Sequence, residues 1–107
     1  MILFHRTSSD IAQTILAQGF RDGEGTYLTL EHWSGVWLSN VPLDENEGAE
    51  GNTLLEIDLG ISNEELAKFD WVEDGKPYRE FLIPADVVNG HSTVRISNVD
   101  ERPSWAP

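Results

Sequence analysis

The sequence predicts an α+β fold of about six short strands in largely antiparallel sheets, with two short helices at the side. Three observations carry this. Runs of β-branched and aromatic residues recur along the chain, separated by clusters of Gly, Pro, Asn and Asp. Two segments combine helical apolar spacing with a capping residue in front. Most links between strands are too short to hold a crossover helix, which leaves antiparallel pairing. The 107 residues suffice for one small core. Residues 1–97 read as a single domain and 98–107 as a loosely attached tail.

Ile2–Phe4 is apolar and reads as a first strand ending at His5. Ser8, Ser9 and Asp10 offer capping oxygens, and Ile11, Ala12, Ile15 and Leu16 recur at helical spacing. Together they predict a helix from Ser9 to Gln18, stopped by Gly19, with Phe20 packed under its end. Arg21–Gly25 reads as a turn, Thr26–Leu30 as an alternating strand and Glu31–Ser34 as a break. Gly35 opens a strand over Val36–Ser39, which Pro42 closes. Asp44–Asn52 is acidic and poor in apolar residues, which predicts an exposed, mobile loop bordering the site. Thr53–Leu59 reads as a strand with Leu55, Ile57 and Leu59 on one face. Ser62 and Glu65 match a capping box that opens a short helix to about Phe69. Asp74–Pro77 is a turn, Tyr78–Ile83 a strand, Pro84–Val88 a helical turn and Thr93–Ser97 the last strand.

The net charge is −12, from 19 acidic against 7 basic side chains. Such a surface repels phosphate backbones and speaks against DNA or RNA as a partner. It is also what a well-solvated surface carries, and it would attract a basic protein. The absence of Cys excludes a disulfide framework and a thiolate metal site. No two His have the helical spacing of a zinc pair, and Asp44, Glu45, Glu47 and Glu50 lack the alternation of a calcium loop. No metal is expected. No apolar run is long enough for a membrane span, and Met1–His5 lacks the basic region and apolar stretch of a signal peptide. A cytoplasmic protein with no membrane partner is therefore expected.

Three strands carry candidate chemistry. His5 sits with Arg6, Thr7 and Ser8 where the first strand opens, a cluster of donors suited to an amide or a ribose. A half-buried His satisfied by the backbone is the alternative. In Val36–Ser39, Trp37 and Ser39 point one way and Val36 and Leu38 the other. An indole beside a hydroxyl makes a platform for a flat ring, though a core Trp would have the same spacing. Glu80 shares a face with Tyr78 and Leu82, opposite Arg79, Phe81 and Ile83. A carboxylate among such residues costs free energy unless it is paired or functional.

These segments, in this order, resemble the ADP-ribosyltransferase superfamily in its diphtheria-toxin and poly(ADP-ribose)-polymerase branch, which carries a His-Tyr-Glu triad. The likeness rests on Leu3-Phe4-His5-Arg6-Thr7 followed by Ile11-Ala12 and Ile15–Phe20, on Gly35-Val36-Trp37-Leu38-Ser39, and on Tyr78-Arg79-Glu80-Phe81-Leu82-Ile83-Pro84. It spans residues 2–97. The resemblance implies two small sheets, NAD as substrate, and His5, Trp37 and Glu80 as the catalytic set, converging on one cleft. It implies that His5, Arg6, Thr7, Trp37 and Ser39 bind the nucleotide, with His5 on the ribose and Trp37 as the pocket wall. Glu80 would stabilise the oxocarbenium ion as nicotinamide departs.

The chain departs from the family pattern at three points. Arg6 stands where Gly usually follows the His, and could hold a phosphate. Trp37 replaces the triad Tyr and lacks its hydroxyl. The second stacking Tyr is missing, with Tyr27, Trp33 or Tyr78 as substitutes. The expected function is NAD-dependent ADP-ribosyl transfer or NAD cleavage. The alternatives are a non-catalytic module of the same fold that binds NAD, an ADP-ribose-like nucleotide or a protein, and an acidic toxin- or immunity-type partner of a basic protein. An RNA 2′-phosphotransferase would need basic residues for the RNA phosphate, and this chain has few.

Overall fold

The computed structural model describes residues 1–26, 32–43, 51–72, 75 and 77–97. Its elements are β1 (Ile2–Thr7), α1 (Ser9–Gln18), β2 (Gly23–Thr26), β3 (His32–Ser39), β4 (Thr53–Leu59), α2 (Asn63–Ala67), β5 (Asp70–Trp71), β6 (Glu80–Ile83), α3 (Ala85–His91) and β7 (Ser92–Ile96). The strands pair antiparallel in the order β5-β6-β3-β1-β4-β7, and β2 pairs with β3 off this path. The α+β class is therefore as the sequence predicts. The described strands connect through β3 into one sheet, not the two expected.

Alternation sorts the side chains. Leu3, Val36, Leu38, Leu55, Ile57, Leu59, Phe81 and Ile83 form one buried cluster. The register makes this a single face, since Leu3 opposes Ile57 and Leu38 opposes Phe81. The buried residues of all three helices join the same cluster: Ala12 and Ile15 of α1, Leu66 of α2, and Ala85 and Val88 of α3. The helices thus cover one face of the sheet. The other face carries Phe4, Trp37, Ser39, Glu56, Glu80 and Leu82.

Local signals explain where prediction succeeded. The Ser8 hydroxyl accepts from the Ile11 N–H and caps α1, and Gly19 ends it at φ 85° with its N–H on the Ile15 carbonyl. The Ser62 hydroxyl caps α2 through the Glu65 N–H. β4 has the expected bounds.

Tertiary contacts explain the differences. Gly23–Thr26, read as a turn, is β2, and His32–Ser34, read as a break, is the first half of β3. Gly35, at φ 140°, marks the point where β3 changes partner from β2 to β6. α3 extends past the expected single turn because two remote side chains hold it. Asp22 accepts from the Ala85 N–H at 2.8 Å, capping a helix whose N-cap is Pro84. Asn89 accepts from the Phe20 N–H at 2.8 Å and donates to the Phe20 carbonyl at 2.9 Å.

Gly51 and Asn52, expected in a mobile loop, are held at the junction of β1 and α1. The Asn52 side chain accepts from the Ser9 N–H, and a Cβ at Gly51 would overlap the Thr7 carbonyl. Residues 44–50, most of strand Thr26–Leu30, and the tail 98–107 lie outside the described residues. Among the described residues, no helix is long and apolar enough to cross a membrane.

Asn89→Ala removes both bonds to the Phe20 backbone. It is expected to lower unfolding free energy by about 1–2 kcal/mol in urea titration, with the m-value unchanged. An unchanged midpoint would show that this bracing of α3 contributes nothing.

Candidate functional site

The three motif-bearing strands are neighbours. β6 pairs with β3, and β3 with β1, so Glu80, Trp37 and His5 come from adjacent strands in mid-sheet. The junctions differ in kind. β3 and β6 are paired from Val36↔Ile83 to Ser39↔Glu80. Between β1 and β3 the register is confined to Phe4↔Ser39 among the described residues. Beyond it β1 continues beside β4, with Thr7 opposite Thr53.

His5 spans the place where that ladder stops. Its Nδ1 lies 2.7 Å from the Trp37 carbonyl. A carbonyl only accepts, so Nδ1 carries the proton and the neutral ring has its lone pair on Nε2. Phe20 meets the ring at 5.4 Å between centroids and 87° between planes. Burial lowers the His5 pKa below 6.5, while the bond to the Trp37 carbonyl raises it by less. His5 is thus neutral at pH 7 and joins β1 to β3 as a side-chain link.

On the other face, the indoles form a row. Trp37 contacts Trp33 at 5.4 Å and 64°, and Trp71 at 5.1 Å and 81°. All three are half-buried and lie outside the aliphatic core. Gly23 makes room for Trp33, since a Cβ there would stand 3.3 Å from the indole. Glu80 sits in this row: Trp71 of β5 is directly opposite on one side, and Ser39 of β3 on the other. Trp37, two residues before Ser39 on the same face, is its diagonal neighbour. Glu80 is half-buried.

The other nucleotide-binding candidates are tied up to different degrees. Ser39 is buried, and its hydroxyl donates to the Val41 carbonyl at 2.7 Å, so it closes the end of β3. Thr7 is buried, with its backbone against Gly51. Both are structural in this arrangement. Arg6 is half-buried, with Nε donating to the Leu43 carbonyl at 2.5 Å. Its two terminal amino groups are not used in that bond.

The structure therefore brings Trp37 and Glu80 together and leaves His5 apart. His5 leaves β1 between Leu3 and Thr7, on the helix-covered face beside Phe20, whereas Glu80 opposes Ser39 and Trp71 on the other face. The expected convergence of all three on one cleft is corrected on this point. The reason is register: Phe4, not His5, lies opposite Ser39. Sequence reasoning missed Trp71, because β5 has only two residues and no alternation to read. A pocket of about 360 Å³ lies elsewhere, where Leu16 and Gly19 approach Asn89 and Val94, and among the described residues no ionisable side chain lines it.

No protein-family model, curated protein or solved structure matches this chain.

His5 has a folded pKa below its unfolded 6.5, so the unfolded state binds the extra proton. Its contribution to stability is complete above the unfolded value and is lost as pH falls below it toward the folded value. His5→Gln keeps an N–H for the Trp37 carbonyl and removes this titration. The melting temperature of wild type should fall more steeply below pH 6.5 than that of His5→Gln. Parallel curves would mean that His5 is not buried as a neutral ring.

Proposed function

We propose that this chain is a nucleotide-binding module that takes the nicotinamide end of NAD on the face formed by Trp37, Trp71 and Glu80. One observation carries the reading: a half-buried carboxylate stands directly across from one indole and diagonally from another. Indoles offer flat apolar area to a heteroaromatic ring, and the carboxylate favours positive charge or a ribose hydroxyl beside it. Arg6, on the same face, keeps amino groups that can meet a phosphate. His5 acts through Trp37, by fixing its strand, and not on the ligand.

A second reading is ADP-ribosyl transfer or NAD cleavage, as the family resemblance implies. The adjacency of β6, β3 and β1 favours it. Glu80 would then stabilise the oxocarbenium ion that forms as the bond between the ribose and nicotinamide breaks. The binding module takes precedence because the His5 side chain lies on the other face.

Calorimetric titration with NAD and with ADP-ribose, paired with an assay for released nicotinamide, separates the two. NAD binding that weakens in Trp37→Ala, without nicotinamide release, is the expected outcome. Release that falls by about 10²–10³ in Glu80→Gln, with binding kept, would establish the transfer reading instead. No binding of NAD or ADP-ribose at millimolar concentration would remove both.

A further inference from the structure

We infer that Asn89-Gly90 is a site of spontaneous modification. When the last turn of α3 opens, the Gly90 backbone nitrogen attacks the Asn89 carboxamide, and the resulting deamidation releases α3 from Phe20.

The sequence singles out the pair. Of the Asn residues in the chain, Asn89 alone precedes Gly. Asn is a thermolabile side chain, and a following Gly has no Cβ to shield its own amide nitrogen. The structure gives Gly90 no other duty. It lies inside α3, where only Pro is a poorer helix former. It has no positive φ, and among the described residues a Cβ there would meet nothing within 4 Å.

Asn89, by contrast, is fully engaged. Its carboxamide accepts from the Phe20 N–H at 2.8 Å and donates to the Phe20 carbonyl at 2.9 Å. It packs so closely over Gly19 that a Cβ there would stand 2.9 Å from Oδ1. The helical backbone and these bonds keep the carboxamide turned to Phe20 and off the Gly90 nitrogen. The residue is nonetheless exposed, so water reaches it. α3 has seven residues and no side-chain bond from its N-cap, Pro84. The Ser92 hydroxyl closes its last turn on the Val88 carbonyl. A helix this short opens locally at modest cost.

In the open turn the Gly90 nitrogen bonds to Asn89 Cγ and closes a cyclic imide. The Cγ–Nδ2 bond breaks, and Nδ2 leaves as ammonia with the proton from Gly90. Water then opens the imide at either carbonyl, giving Asp or isoaspartate. The Asp product keeps an acceptor for the Phe20 N–H but has no donor for the Phe20 carbonyl. Its charge lies in the last turn of α3, where the helix dipole disfavours it, one turn from Asp86. Isoaspartate adds a carbon to the backbone of α3 and breaks its register. Phe20 edges the His5 ring, which holds the Trp37 carbonyl, so the loss reaches β3.

The test is to age the intact protein at mildly basic pH and digest it with trypsin. Cleavage after Arg79 and Arg95 yields residues 80–95, which hold Asn89 as their single Asn and no Gln. An amide-to-acid mass gain in that peptide therefore assigns the site. The gain should be several-fold slower in Gly90→Ala and faster in Ser92→Ala, which loses the bond closing the turn. The converted protein, and Asn89→Asp, should melt at lower temperature and exchange the Phe20 amide hydrogen faster. No gain over a time in which urea-unfolded protein converts would overturn the inference. So would an equal rate in Gly90→Ala. Conversion that leaves melting and Phe20 exchange unchanged would overturn the release of α3.

Discussion

Burial of one face of the sheet under the three helices is the interaction on which the rest of the molecule depends. Leu3, Leu38, Leu55, Ile57, Phe81 and Ile83 come from four neighbouring strands and are each at most 1 % exposed. Full burial of such side chains contributes roughly 1.5–3 kcal/mol each, before the cost of ordering the chain. Strand side chains alternate with a period of two, so this packing also decides what the opposite face presents. Trp37 is there because Val36 and Leu38 are inside, and Glu80 is there because Phe81 is inside. A slip of one residue in β6 would bury the carboxylate among aliphatic side chains, a far larger penalty than any gain from new pairing.

The second constraint is the discontinuity between β1 and β3. A ladder that continued past Phe4↔Ser39 would tie the two strands with backbone bonds alone. His5 supplies the link instead, through its bond to the Trp37 carbonyl, and Phe20 at its edge connects that link to the end of α1. Phe20 is in turn fixed by Asn89 of α3. A chain of contacts therefore runs from α3 through Phe20 and His5 to the backbone of Trp37. This explains how a residue on the covered face can set the position of an indole on the other one without sharing its surroundings.

Much of this was legible in the sequence where the signal is local. The apolar spacing of Ile11, Ala12 and Ile15 with the Ser8 cap defined α1, and the alternation of Leu55, Ile57 and Leu59 defined β4. Alternation also assigned Trp37 and Glu80 away from Leu38 and Phe81. What was not legible depended on partners distant in sequence. Gly23–Thr26 looks like a turn until β3 pairs with it. Trp33 looks like part of a break until its ring meets Trp37. The two residues of β5 have no pattern of their own, so Trp71 emerged only once its strand lay beside β6. The placement of His5 failed for a related reason: three strands can be inferred to meet, but which faces meet depends on register between strands, and no single segment encodes it.

The separation of faces is the central claim, and nuclear Overhauser contacts between aromatic side chains measure it most directly. Contacts between the His5 and Phe20 rings and between the Trp37 and Trp71 rings are expected together, with none linking the His5 ring to the Glu80 methylenes. Strong contacts between His5 and Glu80 would contradict the claim, because they would put both groups in one cleft and return the His-Trp-Glu set to a common site.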